Sequence, residues 1–422
     1  MTRRHLLGAA TAPTLLRAVL AAQTSLEQQA REAMLRAGKF FRSIATEGGY
    51  LWRYSLDLKT RAGEVAATDT QIWVQPPGTP AVGQTFLRAW RSTGDKFFLD
   101  AAVDAARALV RGQLDSGGWD YRVEFDPALR EKWRARAIST YDDDNTQSAL
   151  RLLMDVHKAR PDPAIKAALD RGLEAVLKIQ YPNGAWPQRY PAPAEGYYRY
   201  YTFNDDTIAD LVHTLLQAWE QLGDKRFLDA VRRAGDFMIR AQRPEPQPVW
   251  AQQYDLEMRP AWARKFEPPS VCSRESAGVI RSLMEVYRAT KDERYLKPIP
   301  AAIAWFGRSQ IAPGRWARFY ELETNRPLYF TTKYELVYTA DDLPTHYAFQ
   351  SSFGIPETIA EYERLRGGVP EPEGRPRPGP ERVRQVLAAL DSHGRWVSAG
   401  QVESRVFNQD MGLLCDFVSG KN

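Results

Sequence analysis

Apolar residues recur at helical spacing over most of this chain, in pairs of segments joined by short polar turns. The segment 164–180 is apolar at intervals of three and four residues, as at Ile165 and Leu169, which places those side chains on one helix face. The sequence Arg-Pro-Asp-Pro at 160–163 separates it from a similar segment that begins at Asn145. Each pair of segments therefore predicts a helical hairpin.

The hairpins repeat along the chain, and tryptophans mark the period. A tryptophan recurs every 64 to 67 residues, and four of the tryptophans follow a glutamine by six to eight residues. The turn at 94–96 has the sequence Gly-Asp-Lys and recurs at 223–225. Hairpins stacked in this way form an open solenoid or a closed α/α toroid, and the long irregular loops favour the toroid. We predict an all-α fold, an α/α toroid-like array of helical hairpins with long surface loops. The tryptophans are Trp52, Trp119, Trp186, Trp250 and Trp316, with Trp396 as a candidate sixth copy.

Acidic residues precede the first helix of three successive hairpins. In a toroid these loops lie at the same end of the ring, so we expect their side chains to converge at one mouth. Carboxylates from separate loops suit a hard cation such as calcium, which accepts roughly six to eight oxygen ligands. Helix capping explains one acid in a loop, but not two or three in succession. The acids are Asp142, Asp143, Asp144, Asp205, Asp206 and Glu275.

Two later segments offer cations and aromatic rings to a carbohydrate. A long loop after the fourth tryptophan mixes aromatic and charged residues, and long loops in compact domains are usually functional. The segment after the fifth tryptophan carries arginines that can hold carboxylates through two hydrogen bonds. The alternative for the loop cations is a solvent-exposed salt bridge, and for the aromatic rings it is burial. The candidates are Trp250, Asp255, Arg264, Lys265, Arg318 and Arg326.

The charge distribution favours a polyanionic ligand over nucleic acid. The 422 residues carry a formal net charge of +5, with Lys and Arg mixed among Asp and Glu. No nucleic-acid-binding signature, nucleophile elbow, phosphate loop or dinucleotide fingerprint occurs in the sequence. Cys272 and Cys415 fit no zinc spacing, and two inert thiols are favoured over one disulfide.

The N-terminal segment has features of an export signal. Arg3 and Arg4 precede a stretch rich in Ala and Leu that ends in Ala-Ala-Gln at 21–23, a small-residue cleavage pattern. An amphipathic start to a cytosolic protein is the alternative, because Pro13 and Arg17 interrupt the stretch. No other segment is apolar for the ~20 residues that a membrane span needs. We expect an exported, periplasmic or secreted monomer with a signal peptide at 1–23, a toroid catalytic domain at 24–366, a Pro- and Gly-rich loop at 367–380 and a helical cap at 381–422.

The ordered succession of motifs resembles pectate lyases of polysaccharide lyase family 10. The resemblance covers roughly residues 70–355 and implies a helical α/α fold with an open groove. It further implies calcium-dependent β-elimination of de-esterified homogalacturonan, that is, polygalacturonate. The matching motifs are Asp144-Asn145, the stretch Gln180–Pro191, Thr202–Asp206, Trp250–Asp255, Ala263-Arg264, Ser273 with Glu275-Ser276, and Trp316–Pro327.

The same resemblance implies roles for individual residues. Asp144 and Asp206 match active-centre aspartates, and Arg264 matches the arginine that removes the proton from C5. The implied calcium ligands are Asp206, Asp144 and Asp205. Because the run 142–144 is denser than the isolated aspartate expected, the matched position can shift by one. The substrate contacts expected are Asn145, Arg318, Arg326, Lys265, Asp255 and Trp250.

One departure from the family pattern leaves alternatives open. Family members often carry Arg-Asp-Gly shortly after Asn-Arg-Pro, whereas residues 328–333 read Leu-Tyr-Phe-Thr-Thr-Lys. A glycoside hydrolase on the same fold, with Asp144 and Asp206 as acid and base, is one alternative. A non-catalytic uronan-binding protein is another. The products separate them, because elimination creates an unsaturated uronate that absorbs in the ultraviolet and hydrolysis creates only reducing ends.

Overall fold

The computed structural model describes residues 12–370 and 375–420, with side chains from Leu26 onward. The predicted signal peptide therefore lies outside the described residues at 1–11, and only a helical backbone is described for its remainder. Within the described residues the chain forms two compact units. One comprises Met1–Ile72, Pro77–Ala105 and Glu373–Asn422, and the other comprises Trp73–Pro76 and Ala106–Pro372.

Helices dominate both units, as the hydrophobic period predicts. None of the helices in the described part of the chain carries an apolar stretch long enough to cross a bilayer. The helices are α1 (Ala12–Ser43), α2 (Thr79–Thr93), α3 (Lys96–Gly112), α4 (Pro127–Arg134), α5 (Asn145–Ala159), α6 (Pro163–Ile179), α7 (Thr207–Leu222), α8 (Lys225–Ala241), α9 (Ser273–Thr290), α10 (Ile299–Arg308), α11 (Ile355–Arg366), α12 (Pro380–Ala389) and α13 (Ser404–Ser419).

The predicted hairpins are confirmed. In the second unit α5 packs on α6, α7 on α8 and α9 on α10. The turn at Gly223 matches the turn at Gly94, and both glycines are left-handed with φ of 74°, a conformation that glycine adopts without strain. The aspartate after each glycine accepts a hydrogen bond from the backbone N–H two residues on, at 2.9 Å. The two sequences are therefore one turn in two copies.

The repeated tryptophans cap the end of the preceding helix. The indole Nε1–H of Trp119 donates to the carbonyl of Leu109 at 2.8 Å, and that of Trp186 donates to Val176 at 2.9 Å. Both rings are fully buried. The carbonyls of a last helical turn have no partner within the helix, so each indole satisfies one while filling the core. Trp250, Trp316 and Trp396 make the same bond, to Met238, Phe306 and Val386.

The repeated glutamines join consecutive hairpins. Gln113 Nε2 donates to the carbonyl of Gly117 in its own loop and to Ala168 on the second helix of the next hairpin, both at 2.8 Å. Gln180 bonds Gly184 and Ala230, and Gln242 bonds Pro248 and Pro298, in the same pattern. Gln310 differs, because it only accepts from the Gly314 N–H.

Short strands, which the hydrophobic pattern does not predict, line the loops. The first unit contains an antiparallel sheet in the order β16-β17-β1-β2-β3, and the second contains β10-β12-β13-β14 and the pairs β6-β7, β8-β9 and β11-β15. The strands are β1 (Arg53–Ser55), β2 (Arg61–Ala62), β3 (Ala66–Ala67), β4 (Gln71–Trp73), β5 (Arg122–Glu124), β6 (Ser139–Thr140), β7 (Arg189–Tyr190), β8 (Tyr201–Thr202), β9 (Gln253–Tyr254), β10 (Val271–Cys272), β11 (Trp316–Ala317), β12 (Phe319–Tyr320), β13 (Pro327–Phe330), β14 (Leu336–Val337), β15 (Gln350–Ser351), β16 (Val397–Ser398) and β17 (Gln401–Glu403).

Two sequence features find a structural role here. Strand β13 occupies the place where the family pattern has its Arg-Asp-Gly, and Leu328, Tyr329 and Phe330 are buried in it. That stretch therefore supplies core packing rather than charge.

Cys272 and Cys415 are both free and buried, which confirms the expected pair of inert thiols.

Candidate active site

Two acidic turns of the second unit share one backbone conformation. Asp143 and Asp144 have φ of 53° and 57°, and Asp205 and Asp206 have φ of 46° and 56°. Each pair lies between a two-residue strand and a helix, β6 and α5 in one case and β8 and α7 in the other. A left-handed conformation costs a non-glycine residue about 1 kcal/mol or more. Strain repeated at equivalent positions of two hairpins marks these turns as a candidate site.

Carboxylates from both turns meet in one group. One oxygen from each of Asp142, Asp143 and Asp205 lies within 4.8 Å of the others. We call this set the three-aspartate group. The Oδ1 atom of Asp142 is buried and has no hydrogen-bond partner among the described residues. Burial, followed by the charges of Asp205 and Asp143, raises the pKa of Asp142 well above its usual range. Three oxygen ligands that repel one another fit a hard cation such as calcium.

The other two aspartates of the turns face arginines instead. Asp144 pairs with Arg151, two turns along the same helix, and Asp206 Oδ2 lies 2.8 Å from Arg274 Nη2. Of the calcium ligands that the sequence implies, only Asp205 belongs to the three-aspartate group. The second aspartate of each turn directly precedes a helix, and its carboxylate is already neutralised by a guanidinium. The structure thus favours a shift of the expected ligands toward Asp142 and Asp143.

Asp144 and Asp206 also act on a third acid one turn into α7. Burial and the charge of Asp144 raise the pKa of Asp210 to about 8, and the charge of Asp206 adds to the effect. Arg151 opposes it. The raised pKa favours the protonated form of Asp210, and a neutral Asp210 repels the neighbouring carboxylates less.

Arg264 connects the three-aspartate group to the loop before α9. Its Nη2 atom lies 3.0 Å from Asp205 Oδ2, and its Nε atom lies 2.9 Å from Glu267 Oε2. Burial lowers the pKa of the Arg264 guanidinium. The hydrogen bond and charge of Glu267 and the charge of Asp205 raise it by more, so the net change is upward. Tyr347 donates its hydroxyl to Glu267 at 3.0 Å and fixes that carboxylate. The predicted base is thus positioned, but held in its charged form.

Glu275, the acid expected from the third loop, lies outside the three-aspartate group but shares Arg274 with Asp206. Arg318 Nη2 is 2.8 Å and Arg274 Nη1 is 3.1 Å from Glu275 Oε1. Arg318 is 5% exposed and Glu275 is 1% exposed. Burial raises the pKa of Glu275, but the two arginines lower it by more. Arg318 is therefore engaged by a buried carboxylate, where a substrate would have to displace it.

Two expected substrate contacts are buried. Asn145 is 0% exposed and donates its amide to the carbonyl of Trp119 at 2.9 Å. Trp250 is 0% exposed as well, with its indole bonded to Met238. These side chains have no face open to a sugar, so their positions favour support of the turn and the core.

The remaining candidates lie in the loops of the second unit. Lys265 Nζ lies 3.8 Å from the ring centroid of Tyr334, and the Arg326 guanidinium lies 3.5 Å from that of Tyr338. Both cations are exposed. Asp255 Oδ2 pairs with the Arg259 guanidinium at 2.8 Å and caps its own turn. The structure joins none of these three to the three-aspartate group.

Sequence reasoning placed Asp142 among the converging acids but did not name it as a calcium ligand, and it gave Glu267 and Arg189 no role. The signal for Glu267 is its place three residues after Arg264, with which it pairs. Arg189 lies on β7, with its guanidinium 3.7 Å from the ring centroid of Tyr198. Nothing in the hydrophobic period distinguishes it, because its position depends on the pairing of two-residue strands.

The arrangement places a group of three carboxylates next to the half-buried guanidinium of Arg264. Residues 113–315 match the family model of pectic acid lyases. The resemblance to this family is confirmed. The match supports a polysaccharide lyase, and the acidic turns, Arg264 and Arg189 all lie within the matched segment. No curated protein matches the chain.

Solved structures share the fold. A family 10 polysaccharide lyase from Cellvibrio cellulosa superposes with a TM-score of 0.53 at 22% identity, over 63% of this chain and 92% of that one. A mutant of a family 10 polysaccharide lyase from the same organism, in complex with trigalacturonic acid, superposes with a TM-score of 0.52 at 21% identity, over 68% of this chain and 98% of that one. An unsaturated glucuronyl hydrolase specific for heparin superposes with a TM-score of 0.50 at 11% identity, over 93% of this chain and 96% of that one. The predicted fold class, an α/α toroid-like array, is confirmed.

Proposed function

We propose that this polysaccharide lyase is a pectate lyase that cleaves polygalacturonate by calcium-dependent β-elimination. The observation that carries the proposal is the 3.0 Å contact between Asp205 and Arg264. It places a carboxylate of the three-aspartate group next to the only residue that the family resemblance nominates as base. A uronate bound there would meet both groups at once.

The three-aspartate group would hold the calcium ion. Its ligands are all carboxylate oxygens from two loops, and their mutual repulsion is relieved by a cation. Bound calcium would neutralise the uronate carboxylate and acidify the adjacent C5 proton. Asp144 and Asp206, each held by an arginine, would orient the two turns.

Arg264 would remove the C5 proton. The electrons of the C5–H bond form the C4–C5 double bond, the bond from C4 to the glycosidic oxygen breaks with its electron pair going to that oxygen, and the oxygen then takes a proton from solvent water. A guanidinium is a base only when neutral, and its ordinary pKa lies above ~12. Asp205 and Glu267 raise that pKa further. If a cation bound Asp205 in place of Arg264, Arg264 would lose one of the two negative charges that hold it protonated.

Other expectations remain part of the proposal. We propose that Asp144 assists catalysis, that Lys265, Asp255 and Arg326 line the substrate path, and that the protein is exported and acts as a monomer. Residues 24–366 would form the catalytic domain, followed by the loop 367–380 and the cap 381–422.

The deciding experiment is an absorbance assay on polygalacturonate with calcium and with a chelator. We expect ultraviolet absorbance from unsaturated uronate that grows with calcium and stops with chelator. Reducing ends without absorbance would instead establish hydrolysis. Retention on a polygalacturonate column without either product would indicate a binding protein, and both results would overturn the proposal.

A further inference from the structure

Strand pairing fixes Arg189 beside the first acidic turn. Arg189 on β7 pairs with Thr140 on β6, and the backbone N–H of Tyr141 donates to the carbonyl of Gln188 at 2.8 Å. Asp142 is therefore only two residues from the position that faces Arg189. The Arg189 charge acts on Asp142, where it opposes the rise of the pKa. Arg189 thus lies at the edge of the three-aspartate group.

Arg189 differs from the other arginines around the site because its guanidinium forms no ion pair with a carboxylate of the described residues, although the charges of Asp120 and Asp142 lie near it. Arg264, Arg274, Arg318 and Arg151 each form an ion pair. Arg189 forms none with any described residue, and its Nε–H is buried without a hydrogen-bond partner. A partly desolvated guanidinium with unused donors is costly unless a ligand satisfies it.

A tyrosine pair holds this guanidinium in place. Its centre lies 3.7 Å from the Tyr198 ring centroid, and the backbone N–H of Gln188 donates to the Tyr198 carbonyl at 3.1 Å. The Tyr198 ring lies 4.1 Å from that of Tyr197. Tyr197 in turn experiences the charge of Arg264. The tyrosine pair therefore lies near both arginines, and a guanidinium held by its face keeps its N–H edge for a carboxylate.

We propose that Arg189 binds a carboxylate of the uronate chain and thereby sets the preference for de-esterified substrate. This inference rests on the proposed function, since it names the group in the same site that recognises the substrate's charge. A planar guanidinium on an aromatic ring matches a carboxylate through two parallel hydrogen bonds. A methyl ester carries no charge and accepts more weakly, so Arg189 discriminates between the two.

The first experiment measures trigalacturonate binding by calorimetric titration at saturating calcium, in an Arg264→Ala background that prevents turnover. We expect Arg189→Gln to weaken binding by about tenfold to a hundredfold, as loss of a charged hydrogen bond does. Arg189→Lys keeps the charge and should lose less. The methyl ester of trigalacturonate should bind the Arg264→Ala protein equally well with and without Arg189→Gln. Equal losses on acid and ester would overturn the proposal.

A matched control separates recognition from folding and from charge balance. Arg366 lies on an aromatic ring, that of Tyr362, at the end of α11, and Arg366→Gln should change nothing. If Arg189→Gln lowers calcium affinity but leaves trigalacturonate affinity at saturating calcium intact, Arg189 only offsets the acids and the proposal is wrong.

The kinetic readout keeps this inference distinguishable from the proposed function. With Arg264 restored, Arg189→Gln should raise KM on polygalacturonate about tenfold or more and leave kcat within about twofold. Absence of elimination by the unmodified protein would overturn the proposed function, while the binding titration would still decide the role of Arg189.

Discussion

Asp205 contacts Arg264 and would also contact the proposed calcium ion. Its carboxylate belongs to the three-aspartate group and also lies 3.0 Å from Arg264. A cation and a guanidinium compete for the same oxygens, so occupancy of one contact weakens the other. Asn204 donates to the same carboxylate at 2.7 Å and limits its rotation. The charge state of Arg264 is therefore coupled to what Asp205 binds.

At the residue scale we expect Asp205→Asn to raise the calcium concentration needed for half-maximal activity by at least about tenfold. The amide keeps the shape but removes one of three charged ligands. Asp206→Asn should raise it less, because Asp206 pairs with Arg274. Calcium titrations of the absorbance assay measure both. Asp229→Asn, at an exposed aspartate of α8, is the control. An equal effect of the Asp205 and Asp206 variants would contradict the shifted ligand set.

Arg264→Ala should lower kcat by at least about a hundredfold and leave calcium-dependent binding of polygalacturonate measurable. A general base contributes about that factor or more, and the substitution removes the group that the proposal assigns to the C5 proton. Arg259→Ala, which removes an exposed arginine from the same loop, provides the comparison. Turnover of Arg264→Ala at the rate of the unmodified protein would show that the base is another residue.

At the element scale the hairpins and their markers could be predicted from the sequence. The helical period sets the faces, and the recurring Trp marks equivalent positions because it makes the same bond to a helix carbonyl, as do Gln113 and Gln180. The orientation of the acids could not be predicted. It depends on left-handed turns and on two-residue strands such as β6 and β7, which are too short to show a period. The sequence thus identified the acidic loops but not that Asp142, rather than Asp144, joins Asp143 and Asp205 in one group.

Gln113→Leu should lower the free energy of unfolding by about 2 kcal/mol. The change removes both amide bonds and leaves buried carbonyls of Gly117 and Ala168 without that partner. Gln310→Leu should cost under about 0.5 kcal/mol, because Gln310 is exposed and makes a single local bond. Urea denaturation followed by tryptophan fluorescence compares them. Equal midpoints would show that the link between hairpins adds no stability.

At the scale of the whole molecule, calcium should raise the melting temperature. An ion that binds the folded state shifts the unfolding equilibrium by mass action. The pKa of Asp142 is raised by burial and by neighbouring carboxylates, so calcium competes with a proton for Asp142 and the stabilisation should increase with pH. Calorimetric melting with calcium and with chelator at several pH values measures this. Magnesium, which is smaller and stricter in geometry, should stabilise less at equal concentration.

Without calcium, stability should fall as pH rises from about 4 to about 8. The pKa of Asp210 is about 8 in the folded protein, against about 3.9 in an unfolded chain. Between these values the folded state holds a proton that the unfolded state has lost, so rising pH favours unfolding. Asp210→Asn should flatten the dependence of the melting temperature on pH in chelator. An unchanged slope would show that Asp210 ionises normally.

The glutamine at the end of a hairpin has a consequence for how such a chain can evolve. Each of Gln113, Gln180 and Gln242 holds one carbonyl in its own copy and one in the next. Duplication or loss of a complete copy would give every remaining amide an equivalent acceptor. Loss of half a copy would leave one amide facing the wrong helix. Changes in length within this family should therefore occur in steps of about one tryptophan interval, with smaller insertions confined to the loops.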